Sequence, residues 1–115
     1  MRGIVLSGTG KGAFFIQLYS ELFEQNLGLK PFPGTVNIQV KKVPLLKNDK
    51  KITLQKQGYG DVDCYPVIIQ KIYKGFLIRP HKTTHPENIL EIISSINLRK
   101  TLNLHDGEEI ECELA

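Results

Sequence analysis

Between residues 35 and 40 the chain alternates strictly: Val36, Ile38 and Val40 on one side, Thr35, Asn37 and Gln39 on the other. A two-residue period predicts a strand with one face buried and the other free for polar work. Residues 3–7 predict an earlier strand, followed by a glycine-rich loop. Leu18, Leu22, Phe23 and Leu27 recur at helical spacing and Gly28 supplies a stop, so a helix is expected over 17–27. Pro31 and Pro33 lead into the alternating strand, and a lysine-rich stretch over 41–51 turns at residues 47–50. A short strand over 52–55 and a turn at 58–61 come next. Residues 64–71 and 75–79 predict two strands joined by a tight connection around Tyr73, Lys74 and Gly75. A polar loop over 80–87 precedes an apolar run, 89–93, interrupted by Glu91. Asn97 is placed to cap a short helix ending at Leu102, and Asp106–Gly107 turns into a last alternating strand over 109–114. Many short strands with one sizeable helix fit a small closed barrel, and an open α+β sheet satisfies the same pattern.

A length of 115 residues suits one domain spanning 1–115. Such a domain buries roughly two-thirds of its unfolded surface, enough for a core without disulfide or metal staples. No apolar run is long enough to span a membrane, and the N-terminus, broken early by Gly3, does not read as a signal peptide. A cytoplasmic protein is expected. Fifteen Lys and Arg against twelve Asp and Glu leave a net charge of +3. That mild excess suits an anionic ligand and falls short of the dense basic stripe of a nucleic-acid scaffold. Cys64 and Cys112 match no zinc or redox spacing, so they read as buried free thiols.

Four clusters carry candidate chemistry. In the first, Gly8, Thr9, Gly10, Lys11, Gly12 and Ala13 form a loop that is neither a dinucleotide fingerprint nor a P-loop. Its glycines let backbone N–H groups approach an anion, and Lys11 adds a point charge; a plain strand-to-helix turn would look the same. Thr35 and Asn37 share a strand face, presenting two neutral oxygens of the kind a hydrated Mg²⁺ bridging phosphates can use. They are also ordinary residues for a strand start. Glu91, alone in an apolar run, is either at a wet strand face or buried with a partner. Thr83 lies in the polar loop before it, where His81 and His85 make no metal site and His85 serves to orient the loop. Finally, Ile96, Asn97, Leu98 and Arg99 combine an N-cap with a basic residue that is a surface charge or a phosphate contact.

Taken in order, these segments resemble the CTP-dependent riboflavin kinases best known from archaea. The resemblance runs from about Ile4 to the C-terminus, and its most specific element is the stretch 31–37, where a Pro33–Gly34 turn is followed by Thr35, a hydrophobic residue and Asn37. It implies a mainly-β fold, a compact six-stranded cradle-loop barrel with one sizeable helix and a short C-terminal helix. It also implies transfer of the γ-phosphoryl group of CTP to the 5′-hydroxyl of riboflavin, giving FMN and CDP. On this resemblance residues Gly8 to Ala13 and Ile96 to Arg99 hold the nucleotide, Thr35 and Asn37 hold Mg²⁺, and Thr83 and Glu91 contact the flavin. No residue stands out as a general base, with Glu91 the candidate. The partners implied are riboflavin and CTP, with no nucleic acid or membrane and a monomeric chain. Residues 41–63 carry no assigned role, and the extra N-terminal DNA-binding domain of some relatives is not expected. A non-catalytic cradle barrel that binds flavin or DNA is the rival reading, although a DNA reader has no need of Thr-x-Asn beside a glycine loop.

Overall fold

A computed structural model describes residues 1–8, 12–46, 48–83 and 85–115. Its strands are β1 (Arg2–Leu6), β2 (Val36–Val40), β3 (Ile52–Leu54), β4 (Val62–Ile69), β5 (Tyr73–Pro80), β6 (Ile89–Ile93) and β7 (Glu109–Leu114). The helices are α1 (Gly12–Leu27) and α2 (Leu98–Thr101), with a 3-10 turn at Asn48–Lys50. Antiparallel pairing runs β4-β5-β6-β2-β1-β7, and β7 pairs back onto β4, closing a six-stranded barrel. β3 lies outside the ring on the edge of β4. Residues 62–64 of β4 pair with β3, and residues 67–69 pair with β7. Pro66, which has no N–H to give, sits where β4 exchanges one neighbour for the other.

The alternation read in β2 decides what fills the barrel. Val36, Ile38 and Val40 point inward and join Val5, Leu90 and Ile92 in the main core. A second cluster lies on the outer wall, where α1 packs Ile16, Tyr19 and Phe23 against Leu54, Val62 and Ile78. Phe15, Tyr19 and Phe23 recur every four residues, and their rings form a ladder with centroids 4.8 Å and 6.3 Å apart. The Tyr19 hydroxyl donates to the Gly60 carbonyl at 2.6 Å, tying the helix to the loop before β4. Gly28 adopts φ +63° at the helix end, the left-handed conformation expected of a stop.

Strand ends shift by one or two residues from the sequence expectation, and two departures are larger in consequence. Helix α1 begins at Gly12 rather than at residue 17, so Gly12 and Ala13 belong to its first turn and not to a loop. Glycine is a poor helix former, and the apolar spacing becomes regular only further along, which hides that start. The β4–β5 connection turns at Gln70 (φ +50°) and Lys71 (φ +63°), not around Tyr73, Lys74 and Gly75. Its closing bond runs from Ile72 N–H to the Ile69 carbonyl at 3.1 Å. Gly75 is instead a strand residue whose missing side chain admits a neighbour: a Cβ there would lie 2.5 Å from the Ile93 carbonyl oxygen. Cys64 and Cys112 are buried free thiols, and burial pushes them up to about 12 and about 11.

Candidate active site

Outward-facing residues of β2 and β6 form the floor of a cleft of about 720 Å³. Asn37 pairs with Glu91 across the β2–β6 ladder, so the two side chains leave the same face as neighbours. Asn37 is buried, at 4% exposure, and its side-chain oxygen has no hydrogen-bond partner. Leaving a buried acceptor unpaired costs about 1–3 kcal/mol, which marks that oxygen as available to a ligand. Thr35 precedes it by one strand period and lines the same cleft.

The first residue of α1 is packed directly against Thr35. A Cβ added to Gly12 would sit 2.9 Å from Thr35 Oγ1 and 3.1 Å from its backbone nitrogen. Only a residue without a side chain lets the helix start this close. From there α1 forms one wall, contributing Phe14, Phe15 and Leu18. Of the adjacent phenylalanines, Phe15 joins the aromatic ladder, while Phe14 lines the cleft 69% exposed.

Opposite lies the segment after β5. Thr83 is exposed, and its hydroxyl accepts the His85 backbone N–H at 3.1 Å. Thr83, His85 and Lys82 all line the cleft. Glu91 is half-buried; desolvation pushes its carboxyl above the ordinary glutamate value, and the nearby His85 opposes that only in part.

At the remaining rim stands α2. Asn97 caps it, its side chain accepting the Lys100 N–H at 3.2 Å. Leu98 faces the barrel core, so only its backbone is available to a ligand. Arg99 donates to Asp106 at 3.0 Å and to the Leu6 carbonyl at 2.7 Å. Asp106 also accepts the Ser7 hydroxyl; that bond first, and then Arg99, hold its carboxyl below the usual range. A smaller cavity of about 110 Å³, lined by Phe32, Pro33, Ile96, Asn97 and Leu98, adjoins the cleft and shares Gly34, Thr35 and Arg99 with it.

Gly8, Gly12, Ala13, Thr35, Asn37, Thr83, Glu91 and Arg99 thus surround one cleft, with residues 96–98 on the adjoining cavity. Thr9, Gly10 and Lys11 lie outside the described residues. From sequence Asp106 reads only as a turn residue and Phe14 carries no motif, while Lys82 belongs to the segment 79–85 without a role of its own. Among the described residues no cluster of three His, Cys, Asp or Glu could hold a metal, so a cation here would rest on neutral oxygens and its own ligand. Nor is any helix among them long and apolar enough to cross a membrane.

The molecule is a closed six-stranded antiparallel barrel of the cradle type, with a cleft over its outer wall floored by a carboxamide and a carboxylate. The family model for CTP-dependent riboflavin kinases, described as domain of unknown function DUF120, matches residues 5–114. The chain belongs to that family. It is 43% identical to the riboflavin kinase of Staphylothermus marinus, over 96% of this chain and 88% of that protein. It is 40% identical to the riboflavin kinase of Thermococcus kodakarensis, over 97% of this chain and 57% of that protein. Similarity to the Methanocella arvoryzae riboflavin kinase is 36% over 99% of this chain and 56% of that protein. The chain therefore spans little more than half the length of the last two relatives.

Proposed function

We propose that this chain transfers the γ-phosphoryl group of CTP to the 5′-hydroxyl of riboflavin, forming FMN and CDP. One observation carries the reading: Asn37, whose buried side-chain oxygen has no hydrogen-bond partner among the described residues, lines the cleft beside Glu91, one strand period from Thr35. A carboxamide and a hydroxyl fit a magnesium ion whose remaining ligands are phosphate and water, because the nucleotide brings the negative charge. When bound, such an ion neutralises charge on the phosphate oxygens as the phosphoryl group moves.

The residues of this chain supply position more than covalent chemistry, as phosphoryl transfer through a loose transition state requires. The riboflavin 5′-oxygen forms a bond to the γ-phosphorus, and the bond from that phosphorus to the β–γ bridging oxygen breaks, releasing CDP. Glu91 and Thr83 orient the flavin through its ribityl hydroxyls or ring N–H groups. Burial raises the Glu91 carboxyl toward neutrality, so Glu91 is also the candidate to receive the hydroxyl proton. Residues 8–13 hold the triphosphate. Backbone groups of residues 96–99 answer the cytosine edge at the smaller cavity, and the choice of CTP as donor follows the family name.

The test is FMN formation with Mg²⁺ and CTP, ATP, GTP or UTP in parallel. FMN made preferentially from CTP supports the reading. Absence of FMN from every donor, with folded protein, would move the assignment to a flavin- or nucleic-acid-binding module.

A further inference from the structure

Three chain segments meet at one carboxylate on the rim of the cleft. Asp106 accepts the Ser7 hydroxyl on one oxygen and Arg99 Nη1 on the other, the latter at 3.0 Å. Arg99 Nη2 donates to the Leu6 carbonyl at 2.7 Å. The turn holding Asp106 is itself tied down: Gly107 N–H donates to Val5 at 2.7 Å and Leu104 N–H to Arg99 at 2.8 Å. Leu6 and Ser7 lead straight into the glycine-rich segment, while Arg99 belongs to α2. One side chain thus joins the two segments to which the proposed function gives the nucleotide.

We propose that Asp106 is a positioning residue for the nucleotide, clamping Ser7 and Arg99 so that Ser7 and Gly8 on one side of the cleft and residues 96–99 on the other keep the spacing CTP requires. This rests on the reading of the site given above. Both Arg99 terminal nitrogens are engaged within the protein, so Arg99 acts as the second jaw of the clamp. The cluster is solvent-accessible, with the Asp106 side chain 51% exposed. Exposed ion pairs add little to stability, so the clamp's effect belongs in nucleotide affinity and not in folding.

Electrostatics and positioning predict opposite signs. A carboxylate beside a triphosphate site repels the ligand, so if Asp106 were a bystander, Asp106→Asn would tighten CTP. If it is the clamp, Asp106→Asn loosens both segments and weakens CTP. The experiment measures CTP affinity by calorimetry, both KM values, kcat and Tm on the full chain for wild type, Asp106→Asn, Asp106→Glu and Arg99→Gln. Expected is a roughly tenfold rise in the KM for CTP in Asp106→Asn, with the riboflavin KM and Tm nearly unchanged. Asp106→Glu, which keeps both acceptor oxygens, should recover part of that loss. The double variant Asp106→Asn/Arg99→Gln should be no worse than the poorer single. A CTP KM that is unchanged or lower in Asp106→Asn overturns the clamp, as does an equal rise in both KM values accompanied by lost stability. Wild-type protein that binds no CTP overturns the nucleotide assignment, and the clamp's role with it, which separates that failure from failure of the clamp alone.

Discussion

Replacing Gly12 by alanine tests how closely α1 must approach Thr35. The new Cβ would lie 2.9 Å from Thr35 Oγ1, whereas ordinary contact begins near 3.4 Å, so the hydroxyl has to retreat by about 0.5 Å (3.4 − 2.9). The Thr35 backbone nitrogen, at 3.1 Å, is crowded as well, so a rotamer change alone does not relieve the contact. A misplacement of about 1 Å in a reacting site can cost on the order of a hundredfold, and half that displacement corresponds to roughly tenfold in kcat/KM. Stability should respond less. Alanine gains up to about 1 kcal/mol of helix propensity, while overpacking costs about 1–3 kcal/mol. The net loss of about 0–3 kcal/mol lowers Tm by no more than about 12 °C. The assay is steady-state FMN formation with a Mg²⁺ titration, alongside thermal melts. Gly28→Ala is the control: its φ of +63° strains an alanine, the added Cβ would meet no atom within 4 Å, and it is not among the residues lining the cleft. It should lose comparable stability with turnover per folded molecule unchanged. Full activity and an unchanged Mg²⁺ requirement in Gly12→Ala would refute the argument that Thr35 must stay where the glycine lets it sit.

Other variants probe the remaining parts. Asn37→Ala removes an acceptor that has no partner in the folded protein; turnover should fall at least a hundredfold, while flavin binding, followed by fluorescence quenching, persists and Tm holds or rises. Unchanged turnover would remove Asn37 from the metal site. For Glu91, burial raises the folded carboxyl above its unfolded value, so its contribution is fully present below the unfolded value and is lost as pH rises through the folded one. Glu91→Gln should therefore be more stable than wild type at neutral pH, and urea titrations should show the gap closing as pH falls through the ordinary carboxylate range. A gap independent of pH would contradict the burial argument. Gly75→Ala forces a Cβ to 2.5 Å from the Ile93 carbonyl oxygen and 2.8 Å from Ile69 Cδ1; a loss of about 3 kcal/mol or more in a denaturant melt is expected.

Much of this architecture is local, and local physics is legible in a sequence. The period of two in β2 determined that Val36, Ile38 and Val40 enter the core and that Thr35 and Asn37 leave by the other face, because successive side chains of a strand alternate. Asn97 as a cap and Gly28 as a stop follow from hydrogen bonds and φ angles within a few residues. The turn at Gln70 and Lys71 was hidden because its left-handed conformations are held by the two strands it joins, not by residues that favour them. Only the closed barrel decided that β6 lies beside β2, setting Glu91 opposite Asn37. The same closure sent β3 outside the ring and brought Asp106 to Ser7 across 99 positions of chain. Gly12 likewise meets Thr35 only because α1 packs back over the wall. Residue types and faces are governed by sterics between near neighbours; which faces meet is governed by the burial that closes the sheet, and that depends on the whole chain at once.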